Sequence, residues 1–117
     1  MRTDNLLERA RAILAALGAE LVLPVIPHVH ETHEAQHVAF LQALAMEPTP
    51  QLLQLPDLRR DLVAELEARG LRVVDLTEDL RAAPALPFHV MDGHFDELGH
   101  RIAADALLRE LEATPGA

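Results

Sequence analysis

Apolar residues in this chain recur first at helical spacing and then as short continuous runs. The first group repeats every three or four residues, which predicts a helix that ends at Gly18. Residues 20–26 form a short apolar run, typical of a strand buried on both faces, and Pro24 within it indicates a sheet edge or a bulge. The helix prediction rests on Leu6, Leu7, Ala10, Ile13, Leu14 and Leu17, behind the capping candidates Thr3, Asp4 and Asn5.

The middle of the chain predicts two further helices. Residues 31–45 carry apolar side chains at helical spacing, and residues 46–54 contain two prolines, which favours a loop. Pro56 and Asp57 then mark the start of a helix that Gly70 ends. A second strand is predicted over residues 71–76.

The last third of the chain predicts a short helical turn, an irregular connection and a long helix. Thr77 is placed to cap a helical turn over residues 78–81. Asp75 is placed to cap the turn that follows its own strand. Residues 83–91 contain two prolines and read as irregular, and Asp96 is placed to cap the final helix. We expect His100, in the first turn of that helix, to have a buried or partly buried structural role. The predicted buried stripe of the helix is Leu98, Ile102, Ala103, Ala106, Leu107 and Leu111.

This order of elements predicts an α/β fold. Helix, strand, helices, strand and helix is the alternation that builds a parallel sheet with right-handed crossovers. Two parallel strands alone leave both sheet edges open, and so small a sheet is rarely stable. We therefore expect part of the fold to come from another polypeptide segment.

Charge and composition narrow the possible partners. The 117-residue chain carries a net charge of −9 and contains no lysine, which argues against binding to nucleic acid or to an anionic membrane. It has no cysteine, so disulfides and thiolate chemistry are excluded, but its compartment stays unknown. No apolar run is long enough to span a bilayer, and the N-terminus does not read as a signal peptide; we expect a soluble chain without an export signal.

Candidate chemistry lies just before the final helix. Asp92 and His94 are two residues apart, a spacing that points both side chains to the same side in an extended or loop segment. A carboxylate that orients an imidazole is the acid and base half of a Ser-His-Asp mechanism. The alternative is that Asp92 helps to cap the helix and His94 is a surface residue. The chain has no serine for such a base to activate.

Residues 92–107 resemble the final block of the SGNH/GDSL-type hydrolases. There, too, Asp and His precede a helix cap, a Gly-His pair (here Gly99 and His100) and an Ala-rich helix. Residues 71–77 are similar to that family's last strand, and residues 21–27 more loosely to the strand before it. The two-residue spacing from Asp to His matches the shorter form that resembles the branch acetylating polysaccharides.

The resemblance implies a flavodoxin-like three-layer fold with a short parallel sheet. Residues 1–113 would be the C-terminal half of an SGNH domain holding strands four and five, with 114–117 as a flexible tail. Asp92 and His94 would be its catalytic residues, acting on a small ester or an acylated carbohydrate without a cofactor. The serine and the oxyanion-hole Gly and Asn would lie on N-terminal strands that this sequence lacks. The chain alone would then be inactive, and its partner would be the missing half or a second chain, including a second copy in a homodimer through the open sheet edge.

Four histidines follow the first predicted strand closely. His33 and His37 lie four residues apart, which on one helix face can hold a divalent transition metal, with Glu31 or Glu34 as an oxygen ligand. His28 and His30 are candidates for contact with substrate, because the resemblance to the SGNH-type hydrolases implies that the loop after this strand faces the substrate cleft. The remaining possibility is that all four are solvated surface residues. The cluster also supports an alternative function, a non-enzymatic metal-binding or interaction module.

Overall fold

The computed structural model describes residues 3–89 and 91–113, with side chains from residue 6 onward. Its elements are α1 (Thr3–Ala16), β1 (Val22–Val25), α2 (Val29–Thr32), α3 (Glu34–Ala43), α4 (Pro50–Ala68), β2 (Arg72–Asp75), α5 (Thr77–Arg81) and α6 (Glu97–Ala113). Within these ranges no helix is long and apolar enough to cross a membrane. The capping side chains proposed at residues 3–5 and the tail 114–117 lie outside the part described.

β1 and β2 pair in parallel as a two-stranded sheet, which confirms the predicted α/β arrangement at this level. The two ends of β2 contact different helices. Arg72 donates a hydrogen bond to the Glu110 carbonyl of α6, and Asp75 pairs with Arg59 of α4. Residues three apart in a strand point to opposite faces, so β2 is held by one helix before it in the chain and one after it.

Pro24 lies in β1 with its nitrogen facing away from β2. The Val25 carbonyl accepts a hydrogen bond from the Leu76 amide, so the backbone groups of Val25 face β2. Neighbouring residues of a strand direct their backbone groups to opposite sides. The missing N–H of Pro24 therefore does not remove any hydrogen bond between β1 and β2. The proline reduces the hydrogen-bonding capacity of the outer side of β1.

The core forms where β2 meets the elements that follow it. Leu76 and Leu80 are almost completely buried, and Phe88 is 3% exposed. This places Phe88, four residues before Asp92, in the buried core. The buried cluster comprises Val29, Val74, Leu76, Leu80, Phe88, Ala103 and Ala106.

Two predicted helix boundaries were wrong. The helix expected over residues 31–45 is two helices, because the His28 side chain caps α2 one turn earlier and His33 separates α2 from α3. α4 begins at Pro50, inside the expected loop, where the missing proline N–H is no loss. Pro56 lies inside this helix instead of starting it.

Capping around β2 and α6 partly agrees with the sequence. The Asp75 carboxylate accepts hydrogen bonds from the Thr77 amide and hydroxyl, so the prediction for Asp75 is confirmed and Thr77 is not the cap. Asp96 caps α6 by accepting from the Gly99 amide at 2.9 Å. Leu111 was wrongly assigned to the buried stripe, since it is 49% exposed. A four-residue strand spans about 13 Å and cannot cover a 17-residue helix of about 25 Å.

Candidate active site

Asp92 and His94 face each other. The His94 Nδ1 atom lies 3.3 Å from Asp92 Oδ1, and the His94 amide donates to the same oxygen at 3.0 Å. Both side chains are exposed, 82% for His94 and 57% for Asp92. With Nδ1 directed at the carboxylate, Nε2 lies on the far side of the imidazole ring, where another group can approach it.

A tight turn brings these two side chains together. The His89 carbonyl accepts hydrogen bonds from the amides of Asp92 and Gly93, and the His89 amide donates to the His94 carbonyl. Gly93 has a φ of 72°, a left-handed conformation that glycine adopts without steric cost. The glycine between acid and base is therefore part of what folds His94 back beside Asp92.

The turn is held by contacts between the chain segments on either side of it. Phe88 and Phe95 form an antiparallel bridge, and their rings pack with centroids 5.5 Å apart. The Asp96 amide donates to the Pro87 carbonyl. His100 is exposed, so the expectation that it is buried or partly buried was wrong; its ring packs edge to face with that of Phe95, with centroids 5.5 Å apart.

The surroundings of Asp92 favour its ionised form. The His94 backbone amide, which donates to the carboxylate, lowers the Asp92 pKa most, and the His94 ring and the charge of His89 add to it. A carboxylate that stays ionised can stabilise the imidazolium that forms when a base accepts a proton. Among the side chains of residues 6–89 and 91–113, no hydroxyl hydrogen-bonds to the His94 ring.

Three of the four clustered histidines contact one another. His30 Nδ1 and His37 Nδ1 are 2.9 Å apart in a buried hydrogen bond, and the His28 ring lies 5.1 Å from that of His37. His28 Nδ1 also accepts a hydrogen bond from the His30 amide, which caps α2. His30 is 6% exposed, so its side chain faces His37 and not the solvent.

The structure does not bring His33 and His37 together. His33 Nδ1 bonds to the Thr32 hydroxyl, whereas the His37 ring bonds to His30. Across the described part of the chain, no group of three or more His, Asp or Glu residues is arranged to hold a metal ion. The metal site at His33 and His37 and substrate contact by His28 and His30 stay predictions.

A buried ionic network beside this cluster was missed by sequence reasoning. Arg59 of α4 bonds Glu31 at 2.9 Å through Nε and also pairs with Asp75. The Glu31 side chain is 3% exposed, and it also accepts from the His28 amide. Partial burial raises the Asp75 pKa, but the Thr77 hydrogen bonds and Arg59 outweigh it and lower the pKa overall. With both carboxylate oxygens engaged, Glu31 ties α2 to α4.

We expect the histidine cluster to make folding stability depend on pH. Burial lowers the pKa of His28 and His37, and repulsion from neighbouring imidazoles lowers it further; Glu31 opposes this at His28. The folded protein thus favours the neutral forms of His28 and His37, and the cap of α2 also requires an unprotonated Nδ1 on His28. Stability is then full above the unfolded pKa of about 6.5 and falls as pH drops through the lower folded pKa.

The free energy of unfolding, measured in urea between pH 7.5 and pH 5, tests this expectation. This pH interval lies above the range where the carboxylates titrate. We expect the free energy of unfolding to fall across this interval in the native chain and to fall less in His37→Gln. His89→Gln, which changes an exposed imidazole outside the cluster, should retain the native dependence. Equal pH dependence in the native chain and His37→Gln would contradict the expectation. Glu34, whose carboxylate is 3.9 Å from His30 Nε2, is unchanged in both variants.

Comparison with known proteins identifies a family. Searches of curated protein sequences and of solved structures gave no significant match. The family model described as SGNH hydrolase-like domain, acetyltransferase AlgX, matches residues 1–117. Because that match spans the entire sequence, the chain belongs to this SGNH hydrolase-like family, as its resemblance to the SGNH-type hydrolases predicted.

Proposed function

We propose that this chain supplies the Asp-His half of a Ser-His-Asp site for acyl transfer, as an esterase or an O-acyltransferase. The observation that carries the proposal is the 3.3 Å approach of His94 Nδ1 to the Asp92 carboxylate on an exposed turn. Membership of a hydrolase-like and acetyltransferase-related family supports the same kind of chemistry.

The residues have distinct roles in this chemistry. His94 Nε2 accepts the proton of a serine hydroxyl as the serine oxygen bonds to the acyl carbonyl carbon. The imidazolium then returns the proton to the leaving alkoxide, and the acyl group remains on the serine as an ester. His94 next removes a proton from water or from an acceptor hydroxyl, whose oxygen bonds to the acyl carbon. The bond from this carbon to the serine oxygen then breaks, and the imidazolium returns its proton to that oxygen. Asp92 holds Nδ1–H throughout and stabilises the imidazolium.

The nucleophile must come from another polypeptide segment. The 117 residues contain neither serine nor cysteine, so this sequence alone cannot form the acyl-serine ester. We propose that β1 and β2 correspond to strands four and five of a flavodoxin-like sheet. The remaining strands would carry the serine and the oxyanion hole.

The shape of the chain supports the need for a partner. Its radius of gyration is 16.3 Å, against roughly 13.4 Å for a compact domain of this length. Its accessible surface is 7792 Å², whereas a compact monomer of this mass exposes about 6,300 Å². Apolar surface lies uncovered beside β1, where Ile26, Leu58 and Leu62 are each at least half exposed and line a groove with Val25 and Leu55. A further segment laid along this side would bury them.

The proposed substrate is a small ester or an acylated carbohydrate. The family description names an acetyltransferase, and the two-residue spacing between Asp92 and His94 agrees with the short form of the motif. The acidic surface of the chain does not favour a polyanionic substrate without a contribution from the completing segment.

Reconstitution tests the proposal. The reading frames on either side of this coding sequence are screened for a Gly-Asp-Ser-type motif, and the serine-bearing product is produced together with this chain. We expect the pair to hydrolyse p-nitrophenyl acetate and to accumulate an acetyl group on the serine, detected by mass spectrometry. Neither polypeptide alone should do so. Full acetyl transfer by the serine-bearing polypeptide alone would refute a role for this chain.

A further inference from the structure

The Asp92–His94 turn receives its geometry from the segments below it. Both side chains are largely exposed, so neither is held in place by surrounding packing. The chain segments that enter and leave the turn are instead fixed by the Phe88–Phe95 bridge. The position of this bridge therefore decides where the carboxylate and the imidazole lie.

Gly99 of α6 is in close contact with both segments that the Phe88–Phe95 bridge joins. A Cβ atom at this position would lie 2.2 Å from the Pro87 carbonyl oxygen, at the entrance to the bridge. It would also lie 2.9 Å from Cδ1 and 3.0 Å from Cβ of Phe95, at the exit. Atoms cannot approach so closely in a packed interior, so any larger residue must push one of these segments away.

The contact at Gly99 is reinforced by hydrogen bonds at the same place. The Gly99 amide donates to Asp96 Oδ1, and the Asp96 amide donates to the Pro87 carbonyl, the oxygen that a Cβ would meet. A methyl group here would disturb this chain of bonds along with the Phe95 ring. Displacements of about 1 Å are enough to impair a catalytic geometry.

We propose that Gly99 is a positioning residue for the Asp92–His94 pair, because the absence of its side chain lets α6 seat against both segments that carry the turn. The inference rests on the proposed function, since positioning matters if the pair takes part in acyl transfer. Its geometric part can be measured in the chain by itself, without any reaction.

The His94 amide proton reports on this geometry, since it donates to the Asp92 carboxylate. Its chemical shift is measured at pH 7.5 in the native chain and in Asp92→Ala, which sets the value for a lost contact. In Gly99→Ala we expect the shift to move from the native value toward that of Asp92→Ala. Leu66→Ala removes a buried side chain from α4, away from the turn, and should destabilise the protein while keeping the native shift.

Phe95→Leu keeps the test decisive if Gly99→Ala does not fold. It leaves an apolar side chain but removes the ring that packs on Phe88 and borders Gly99, and we expect the same direction of change. A native His94 amide shift in every folded variant of Gly99 and Phe95 would overturn the inference. That result would leave the proposed acyl-transfer role intact, whereas inactivity of the reconstituted pair would leave the positioning measurement intact.

Discussion

His94→Gln is expected to lower kcat/KM of the reconstituted acyl-transfer site by roughly 10⁴-fold. Glutamine is similar in polarity but cannot accept the serine proton, so the serine would attack as a neutral hydroxyl. Because His94 is largely exposed, the substitution should leave the fold and the assembly of the two polypeptides unchanged. The measurement is steady-state hydrolysis of p-nitrophenyl acetate by the native and variant pairs.

His100→Gln is the matched control for this experiment. His100 belongs to the same motif and is also exposed, but its ring contacts Phe95 and not the Asp92 carboxylate. We expect its activity to stay within a fewfold of the native value. Equal losses in His94→Gln and His100→Gln would mean that His94 has no special role as a base.

Arg59→Met is expected to destabilise the fold by about 3 kcal/mol, because it leaves the buried Glu31 carboxylate without its cationic partner. Glu31 is 3% exposed and Arg59 is 13% exposed, so water cannot readily replace the lost ion pair. Methionine preserves much of the apolar length of the arginine side chain. The free energy of unfolding is measured by urea denaturation at pH 7.5.

Arg60→Met provides the neighbouring control on the same helix. Arg60 pairs with Asp57, but the two side chains are 65% and 82% exposed, and such surface pairs contribute at most about 1 kcal/mol. We expect this variant to change stability by less than about 0.5 kcal/mol. If both substitutions cost the same, the network of Glu31, Arg59 and Asp75 does not stabilise the fold as a buried ion pair.

Much of the fold could be predicted because local patterns agree with the tertiary structure. The position of each strand, the end of α1 near Gly18 and the Asp96 cap of α6 each depend on a few neighbouring residues. The start of α4 could not be predicted, because Pro56 inside a helix opposes local preference. The start of α2 at Val29 depends on His28 acting as the N-cap, and histidine is outside the usual set of capping residues.

In the candidate site, too, some contacts could be predicted from the sequence and others could not. The approach of His94 to Asp92 follows from their spacing and from Gly93, all within one turn, and was open to sequence reasoning. The ionic network needs Arg59 to meet carboxylates that are 28 and 16 residues away, so no local pattern signals it. The hydrogen bond between His30 and His37 joins residues of two different helices, so it likewise depends on the helix break between them.

The tautomer of His94 tests the central claim most directly. Long-range proton–nitrogen NMR correlation, at a pH where the ring is neutral, distinguishes a proton on Nδ1 from one on Nε2. We predict that native His94 carries its proton on Nδ1, facing Asp92, and that Asp92→Ala shifts it to Nε2. A proton on Nε2 in both proteins would contradict the account, since Asp92 would then not orient the imidazole as a base.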